Sequence, residues 1–598
     1  MDISILQAAR AFVHLVDGDE YDAAPVRIHR IWDGDVCRSV VTNEGTQTAR
    51  IREVVLFAAD VALAPATSFY GEGYQMLSQS TGTLAEPRDV SRYTDHGHYR
   101  MPHTPGMLTV YNLMLLSEQP GAYTLLAFSS CRRFSGVLRL NNERLEIALD
   151  AEGLELAPHE SWELEEFYFA RGSEHNALLA GLAERIGQHH PRLATDGIPT
   201  GWCSWYYYGP QIREQDIFEN MQAIARQGLP LTYIQIDDGF QSAMGDWLTS
   251  GVLFPQGMPA LCRQIREQGY EPAIWVAPFI AEEQSQILRE HPEWFVCDEH
   301  GEPLSSNRHS FGGWRRGPWY MLDGTHPGAR AHLERVFRTM REEWGCRYFK
   351  LDAQVWGALH GGYHYDARAT RVEAYRRGME AILRGAGADS FVLGCNAPMW
   401  PSLGLVHGMR VSGDIARSWE IIAPVARESF LRNWQHGRLW INDPDCVVLE
   451  NKPISLVAPG GEKKPRPPAT PDEFLFHATA IYATGGMVLS GDQMDNLPAE
   501  KLALLRKLLP PTGVAARFED ITCRVGWMQF ADHLKICLFN WDDEPSDVVV
   551  RLPGACRLSD FWRGEDLGLH SAELRVTNLP AHSARLFVCY LAEERELP

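Results

Sequence analysis

Aspartates follow several short apolar runs of the sequence, at the point where each run ends. They are Asp237 and Asp238, Asp352, Asp414, Asp443 and Asp445, and Asp492. Paired carboxylates without metal-ligand spacing suit glycoside hydrolysis, because one carboxylate attacks the sugar or activates water while the other protonates the leaving oxygen. The alternative, open above all for Asp443, Asp445 and Asp492, is that they cap the helices that follow.

The residues between about 196 and 510 must position these aspartates, because short apolar runs alternate there with longer helical patterns. Eight runs can be counted, at 199–204, 231–236, 272–277, 347–351, 391–394, 408–412, 439–441 and 487–490. Helical patterns lie between most of them, for example at 211–227, 329–344, 368–384 and 415–434. Eight such units predict a (β/α)8 barrel, whose chemistry lies at the carboxyl ends of the strands. The rival fold, a doubly wound open sheet, lacks its glycine-rich turn after the first run.

The two regions that flank the predicted barrel show short strand patterns instead of alternating apolar runs and helical patterns. Residues 1–195 contain short alternating stretches separated by turn residues, which predicts a large β-sandwich. Short strands return over residues 511–598 and predict a small C-terminal β-sandwich. A polar, proline-rich segment at 458–468 interrupts the last barrel unit and is expected to be an exposed, mobile loop. The sequence therefore predicts three domains, with boundaries near residues 195 and 510.

Basic residues stand two and four positions before the two central aspartates. Lys350 and Asp352 share a strand face, so the ammonium group is expected to keep Asp352 ionised, as a nucleophile requires. Arg410 shares a face with Asp414, and pairing them would lower the pKa that a general acid needs raised. We therefore expect Arg410 to point at a sugar hydroxyl instead, and the charge of Asp352 to raise the pKa of Asp414.

Aromatic residues favour the same chemistry. Of the 18 tryptophans, 13 lie between Trp202 and Trp440, and sugars pack their apolar C–H faces on such rings. Most tryptophans in a barrel fill its core or its loops. We therefore expect only Trp205 and Trp275, which stand at strand ends, to contact a sugar.

Composition limits the partners and the compartment. The formal net charge of −21 argues against a nucleic acid or an anionic membrane surface as partner. The sequence contains neither a run of 18 apolar residues nor a recognisable signal peptide, and its 12 cysteines have no zinc-type spacing. A cytoplasmic protein that binds a small oligosaccharide or glycoside, without metal or other cofactor, is the expectation. Monomer and homo-oligomer stay open.

Seven motifs in order resemble glycoside hydrolase family 36, the α-galactosidases. They are Gly-Trp-Cys-Ser-Trp at 201–205, Gln-Ile-Asp-Asp-Gly at 235–239, Ile-Trp-Val-Ala-Pro at 274–278, Phe-Lys-Leu-Asp at 349–352, Gly-Cys at 394–395, Gly-Met-Arg at 408–410 with Asp414, and Asn-Asp-Pro-Asp-Cys at 442–446. Each motif alone is weak, but together they extend over the whole barrel, and the three-domain layout is similar too.

The resemblance implies a retaining mechanism through a covalent glycosyl-enzyme. It implies that Asp352 is the nucleophile, that Asp414 is the general acid/base, and that Asp237 and Asp238 bind the 4- and 6-hydroxyls of galactose. It also implies a sugar pocket lined by Trp205, Trp275, Lys350, Cys395 and Arg410.

Two positions depart from the family pattern. Gly-Tyr-Gln-Met-Leu-Ser at 73–78 stands where members often have Gly-Tyr-Gln-Ser-Trp-Ser, which puts an aromatic wall from the N-terminal domain in doubt. Asn396 follows Cys395 where a glycine is expected, and this change would reshape the pocket near one hydroxyl.

Three other functions compete with α-galactoside hydrolysis. An α-N-acetylgalactosaminidase would need room at the 2-position of the sugar, and a transglycosylase would transfer the sugar to an acceptor such as sucrose. A non-catalytic sugar-binding protein would lack one of the carboxylates, and none is missing here. A nucleotide-binding oxidoreductase is disfavoured because its glycine fingerprint is absent.

Overall fold

The computed structural model of the chain describes residues 1–16, 20–21, 25–450 and 466–592. Positions 458–465 of the proline-rich segment lie outside the described residues, so the expectation of an exposed, mobile loop stays a prediction. None of the helices within the described ranges combines the length and the apolar character needed to cross a membrane.

The N-terminal region is a sandwich of two antiparallel sheets. One sheet has six strands and the other nine, and the apolar faces of both pack into one core. The strands are β1 Arg10–Leu15, β2 Glu20–Tyr21, β3 Val26–Asp33, β4 Val36–Asn43, β5 Ala49–Asp60, β6 Ser68–Glu72, β7 Gln79–Thr83, β8 Pro87–Asp89, β9 Leu108–Tyr111, β10 Leu113–Gln119, β11 Ala122–Phe128, β12 Ser135–Leu140, β13 Arg144–Leu156, β14 Ser161–Glu163 and β15 Phe167–Gly172. Helices α1 Ile3–Ala8, α2 Asp95–Tyr99 and α3 His175–His189 belong to the same region. The predicted β-sandwich is confirmed.

A parallel sheet of eight strands forms the centre of the molecule. The strands of this region are β16 Thr200–Cys203, β17 Tyr233–Ile236, β18 Glu271–Val276, β19 Ile280–Glu282, β20 Trp319–Met321, β21 Tyr348–Leu351, β22 Phe391–Gly394, β23 Gly408–Arg410, β24 Ile441–Asp443 and β25 Val488–Ser490. Strands β19 and β20 form a separate hairpin, and the other eight pair side by side in the order β24-β23-β22-β21-β18-β17-β16-β25. All eight predicted runs are therefore strands of one sheet.

The two edge strands of this sheet meet, which closes it into a barrel. The amide of Met487 donates to the carbonyl of Asn442 at 3.0 Å, and Val447 forms a parallel bridge with Ser490. Every residue of β21 and β22 is buried, as expected for strands covered on both faces. The predicted (β/α)8 barrel is confirmed, and the open doubly wound sheet is excluded.

Helices follow most strands and surround the barrel. They are α4 Trp205–Tyr208, α5 Glu214–Gln227, α6 Met258–Glu267, α7 Gln286–Glu290, α8 Pro327–Glu342, α9 Arg371–Ala386, α10 Trp419–Leu431, α11 Pro471–Thr484 and α12 Ala499–Leu508. Short 3₁₀ turns occur at Gly209–Gln211, Pro292–Trp294, Ser306–Arg308, Gln354–Ala358, Trp400–Ser402, Asn433–Gln435 and Met494–Asn496.

Local sequence signals set the ends of these helices. Helix α9 begins at a capping box in which Thr370 and Glu373 bind each other's backbone amides, and α11 begins at the same box made by Thr470 and Glu473. Helix α5 ends at Gly228 in the left-handed conformation that glycine adopts without strain.

The C-terminal region is a smaller pair of antiparallel sheets. Its strands are β26 Arg517–Phe518, β27 Val525–Gln529, β28 Leu534–Asn540, β29 Ser546–Arg551, β30 Cys556–Asp560, β31 Asp566–His570, β32 Glu573–Leu579 and β33 Ser583–Leu591. Strands β29 and β32 pair with each other, and the remaining six form the second sheet. Residues of both sheets share one apolar core, so the predicted small sandwich is confirmed.

A buried ion pair joins the N-terminal sandwich to the barrel. Arg432, just after α10, pairs with Glu72 of β6 at 2.7 Å, and both side chains are fully buried. The same guanidinium group donates to the carbonyl oxygens of Met76, Ser78 and Val411. Through these contacts Arg432 links the segment 72–78 to the end of strand β23. Replacing either Arg432 or Glu72 would leave the other charge buried without a partner, which is strongly destabilising.

Candidate active site

Most of the predicted site residues lie at the carboxyl ends of the barrel strands. Asp237 and Asp238 follow β17, Asp352 follows β21, Cys395 follows β22, and Arg410 ends β23. Because parallel strands all end at one mouth of a barrel, these side chains converge there.

Asp352 is held by two N–H donors. Trp275 Nε1 donates to Oδ2 at 3.0 Å, and the amide of Ala353 donates to Oδ1 at 2.7 Å. Ala353 has φ +52°, and this left-handed conformation directs its amide back onto the carboxylate. Both donors stabilise the ionised carboxylate and fix its direction at the mouth.

The charge balance at Asp352 differs from the expectation. Burial raises the pKa of Asp352, Lys350 opposes this effect, and the nearby charge of Asp414 adds to it. The expected influence of Lys350 is therefore present, but burial outweighs it, and the net shift is upward.

Lys350 pairs directly with a different aspartate. Its Nζ lies 2.8 Å from Asp237 Oδ2, and both side chains are buried. Burial alone would lower the pKa of Lys350, yet the Asp237 carboxylate raises it well above its usual value. Gln235 Nε2 also donates to Oδ2 at 2.8 Å, and the amide of Asp238 donates to Oδ1 at 3.0 Å. Asp237 thus has a fixed orientation and one acceptor direction left on Oδ1.

Asp238 has its own cation. Arg315 Nε donates to Oδ2 at 2.9 Å, and Arg315 Nη2 donates to Oδ1, which is the bidentate arrangement that guanidinium groups favour. Gln241 Nε2 adds a hydrogen bond to Oδ1 at 2.7 Å. The carboxylate is almost fully buried, whereas Arg315 keeps 22% of its side-chain surface exposed. Asp238 therefore has one acceptor direction left, on Oδ2.

Asp414 extends from the mouth with 61% of its side chain exposed. Arg410 Nη2 donates to Asp414 Oδ1 at 3.1 Å, so the expectation that Arg410 points away from Asp414 is wrong. The reason is that the guanidinium group is fully buried, so its N–H donors need acceptors within the protein, and Asp414 is one of them. The guanidinium group also contacts Asp445 Oδ2 at 3.2 Å and the carbonyl oxygens of Ser412 and Gly413.

Asp443, the last residue of β24, and Asp445, which follows the strand, accept hydrogen bonds from loops at the mouth. Asp445 Oδ2 accepts hydrogen bonds from the hydroxyl of Tyr206 and from the amide of Ile415, the latter at 2.7 Å. Asp443 Oδ1 accepts from the amide of Asp445 at 2.9 Å. Burial raises the pKa of Asp445 to about 6, with Arg410 opposing the shift and Asp414 adding to it.

None of the aspartates for which helix capping was the alternative caps a helix. The residue that caps α11, the first described helix after β24, is Thr470. Asp492 pairs with Arg417 and accepts hydrogen bonds from the amides of Leu449 and Glu450, so it anchors backbone beside the barrel strands. The capping interpretation is wrong, because these carboxylates bind loop amides and the guanidinium groups of Arg410 and Arg417 instead.

The remaining predicted pocket residues differ in their surroundings. Trp275 is buried, and its ring lies 5.8 Å from that of Trp247 in an edge-to-face arrangement. Trp205 begins α4 and stays partly exposed. The thiol of Cys395 is buried and lies 3.7 Å from Arg410 Nη1. These positions fit the predicted pocket, whose contacts with a sugar stay a prediction.

A segment of the N-terminal sandwich reaches the mouth. The amide of Met76 donates to the carbonyl of Ala397 at 2.9 Å, and Leu77 approaches Gly413. The hydroxyl of Tyr99 donates to Asn396 Oδ1 at 2.9 Å. Asn396, where the family pattern has glycine, has φ +43°, in the left-handed region that glycine adopts most easily. Both departures from the family pattern therefore lie where the sandwich meets the barrel mouth.

Several residues of the site were not found from the sequence. Gln235 stands two positions before Asp237 on β17, so the period of two along a strand could have identified it. Arg315 lies in the long connection between β18 and β21, and no local pattern marks it. Tyr206 gave no signal either, because it sits in an aromatic run. Within the described ranges, no cluster of three or more His, Cys, Asp or Glu could hold a metal ion.

Comparison with known proteins matches parts of this chain to glycosidases. The family model described as melibiase matches residues 213–356, which contain β17, β18 and β21. The mouse protein named myogenesis-regulating glycosidase is 27% identical over 153 residues, which are 25% of this chain and 20% of that protein. An Escherichia coli protein named alpha-galactosidase is 32% identical over 124 residues, or 20% of this chain and 16% of its own length. The chain thus matches a fifth or less of the length of these two relatives.

Solved structures share the fold over most of the chain. An alpha-galactosidase from Thermus thermophilus, in complex with p-nitrophenyl alpha-D-galactopyranoside, has a TM-score of 0.62 at 22% identity and covers 84% of this chain and 98% of its own. The GH36 alpha-galactosidase AgaA from Geobacillus stearothermophilus has a TM-score of 0.63 at 13% identity, covering 97% of this chain and 89% of its own. Together with the family model, these matches confirm the predicted resemblance to the α-galactosidases.

Proposed function

We propose that this chain, a relative of the α-galactosidases of glycoside hydrolase family 36, hydrolyses terminal α-galactosidic bonds with retention of configuration. The observation that carries the proposal is the carboxylate of Asp352, held by Trp275 Nε1 and the amide of Ala353 at the same barrel mouth as the exposed carboxyl of Asp414. The substrate is a small oligosaccharide or another α-galactoside.

In the first step, a carboxylate oxygen of Asp352 attacks the anomeric carbon of the sugar. The bond from that carbon to the leaving oxygen breaks, and Asp414 donates its proton to this oxygen. In the second step, Asp414 takes a proton from water, the water oxygen attacks the anomeric carbon, and the bond to Asp352 breaks. Two displacements at one carbon restore the original α configuration.

Arg410 is expected to orient Asp414 for its second role. Arg410 Nη2 donates to Asp414 Oδ1 at 3.1 Å, which directs the carboxyl group that takes the proton from water in the second step. The contact that contradicted our expectation thus suits the second half of the cycle.

Recognition of the sugar is proposed for the buried residues around the two catalytic groups. Asp237 and Asp238 would accept hydrogen bonds from sugar hydroxyls, with Lys350 and Arg410 as nearby donors and with Trp205, Trp275 and Cys395 as walls of the pocket. A reducing, cytoplasmic location is part of the proposal, because all 12 cysteines are unpaired in this structure.

The proposal predicts that α-galactose is released first. The test uses a panel of p-nitrophenyl α-glycosides, including the galactoside, glucoside and 2-acetamido-galactoside, followed by proton NMR within the first minutes of reaction. We expect hydrolysis of the galactoside and an α-anomer signal that precedes mutarotation, because two displacements at the anomeric carbon restore the α configuration. Early release of β-galactose would mean inversion, and preference for the 2-acetamido sugar would reassign the substrate.

Replacement of Asp414 should affect substrates according to their leaving group. For Asp414→Ala, we expect kcat/KM on melibiose to fall by about 10²–10⁴, the usual contribution of a general acid. An activated dinitrophenyl α-galactoside needs little protonation, so its kcat/KM should change much less. With the dinitrophenyl galactoside, azide should raise the turnover of Asp414→Ala and give the α-galactosyl azide, because azide attacks the covalent intermediate without needing a general base. Equal losses on both substrates would contradict the assignment.

A further inference from the structure

The loop that carries Asp414 lacks regular secondary structure. Strand β23 ends at Arg410 and helix α10 begins at Trp419, so no helix or sheet ladder fixes the backbone at Asp414. A general acid must nevertheless be placed within hydrogen-bond reach of the leaving oxygen. Side chains of other elements must therefore hold this loop.

Two buried carboxylates bind the amides on either side of Asp414. Glu428 Oε2, from helix α10, accepts the amide of Gly413 at 2.5 Å. Asp445 Oδ2 accepts the amide of Ile415 at 2.7 Å. Arg410 Nη2 binds the same loop by donating to the carbonyl oxygen of Gly413 at 3.0 Å. Charged side chains thus bind the amide and the carbonyl of Gly413 and the amide of Ile415, which are backbone groups on the two sides of Asp414.

Glu428 is a buried carboxyl on helix α10. Only 2% of its surface is exposed, and burial raises the pKa of its carboxyl. A buried carboxyl is unfavourable unless it makes hydrogen bonds that compensate for lost solvation. The amide of Gly413 is such a donor, and the side chain of Ser91 and the positive charges of Arg432 and Arg410 also favour the ionised carboxyl. The hydrogen bond to Gly413 is the contact that reaches the Asp414 loop.

The N-terminal sandwich holds Glu428 in turn. Gln79 Nε2 donates to the main-chain carbonyl of Glu428 at 3.2 Å. One helical turn further on, Arg432 pairs with Glu72 and donates to the carbonyl oxygen of Val411 at 3.1 Å. The sandwich therefore acts on the segment between β23 and Asp414 at two points. It acts on Gly413 through Glu428 and on Val411 through Arg432.

We propose that Glu428 is a positioning residue, which places the acid/base Asp414 by binding the amide of Gly413 and is itself held by the N-terminal sandwich. This inference rests on the proposed function, because it assumes that Asp414 protonates the leaving group. It adds a residue outside the sugar pocket that controls one half of the catalytic pair.

The test compares two leaving groups in Glu428→Leu, which removes the acceptor and keeps a similar volume. We expect kcat/KM on methyl α-galactoside to fall about 10- to 100-fold, because a misplaced general acid loses its contribution, whereas kcat/KM on the dinitrophenyl galactoside changes less than about 3-fold. Glu428→Gln, which still accepts the amide hydrogen bond, should keep most of the activity on both substrates.

Two controls separate positioning from general damage. Glu420 lies on the same helix with its side chain exposed, so Glu420→Leu should leave both substrates unaffected. In an Asp414→Ala background, Glu428→Leu should cause no further loss, because the residue acts only through Asp414. If the leucine variant does not fold, Glu428→Asp withdraws the carboxylate from Gly413 and should give the same selective loss.

The outcomes are distinguishable. Equal loss on both substrates, or a loss that adds to that of Asp414→Ala, would overturn the positioning role and leave the proposed function intact. If the unmodified protein hydrolyses neither galactoside, the proposed function itself falls, and this inference falls with it.

Discussion

Asp352→Asn should fold normally and lose nearly all turnover, with kcat reduced by about 10⁴-fold or more, as is usual when a nucleophile is removed. Asparagine has almost the same shape as aspartate and keeps one acceptor oxygen, so one of the two N–H donors on Asp352, Trp275 Nε1 or the amide of Ala353, keeps its hydrogen bond. What disappears is the negative charge and the nucleophilic oxygen. Activity on p-nitrophenyl α-galactoside, together with thermal unfolding, measures both halves of this prediction.

A shorter side chain gives a product that identifies the role. In Asp352→Gly, azide can occupy the vacated space and attack the anomeric carbon directly, so we expect restored turnover and the β-galactosyl azide. Asp366→Asn is a matched control, because Asp366 lies in the same connection between β21 and α9 but pairs with Arg377 at 2.7 Å. An Asp352→Asn variant that keeps more than a tenth of the activity would rule out the nucleophile.

The unmodified protein should prefer α-galactosides over α-glucosides by a factor of up to about 10⁴–10⁵, the range for sites built around a particular hydroxyl. Asp237 and Asp238 are both buried, and each has one acceptor direction left after its cation and amide donors are counted. Two neighbouring acceptors suit the axial 4-hydroxyl and the 6-hydroxyl of galactose. The equatorial 4-hydroxyl of glucose would leave one of them unpaired.

Asparagine variants test this arrangement without leaving an empty space beside a buried cation. We expect Asp237→Asn and Asp238→Asn to lower kcat/KM on the galactoside by about 10- to 150-fold each, the value of a hydrogen bond to a charged group of about 1.5–3 kcal/mol. The low kcat/KM on the glucoside should change little, so the ratio of kcat/KM on the galactoside to kcat/KM on the glucoside should fall in both variants. Equal rates on the two sugars in the unmodified protein would contradict the specificity and leave the glycosidase mechanism standing.

The sequence by itself determined the barrel and the residues at its mouth. Each barrel strand is a short apolar run that needs burial on both faces, and helical patterns separate most of the runs, so local patterns alone predict the fold. Asp237, Asp238 and Asp352 follow such runs directly, Asp414 follows one after a short loop, and parallel strands bring their ends together without further information.

The tertiary structure decided which charges pair with one another. Lys350 lies two positions from Asp352 but binds Asp237, and Arg315 reaches Asp238 from a connection with no recognisable pattern. Arg410 contacts Asp414 against expectation, because its buried guanidinium group has to satisfy several acceptors at once.

The support of the acid/base loop was equally invisible in the sequence. Glu428 lies 14 positions after Asp414 on a helix, and nothing in its spacing indicates a contact with the amide of Gly413. Strand and helix formation depends on neighbours along the chain, which a sequence displays. The pairing of buried charges depends on the distances between side chains from different elements, and these are fixed only when the barrel closes and the N-terminal sandwich packs against it.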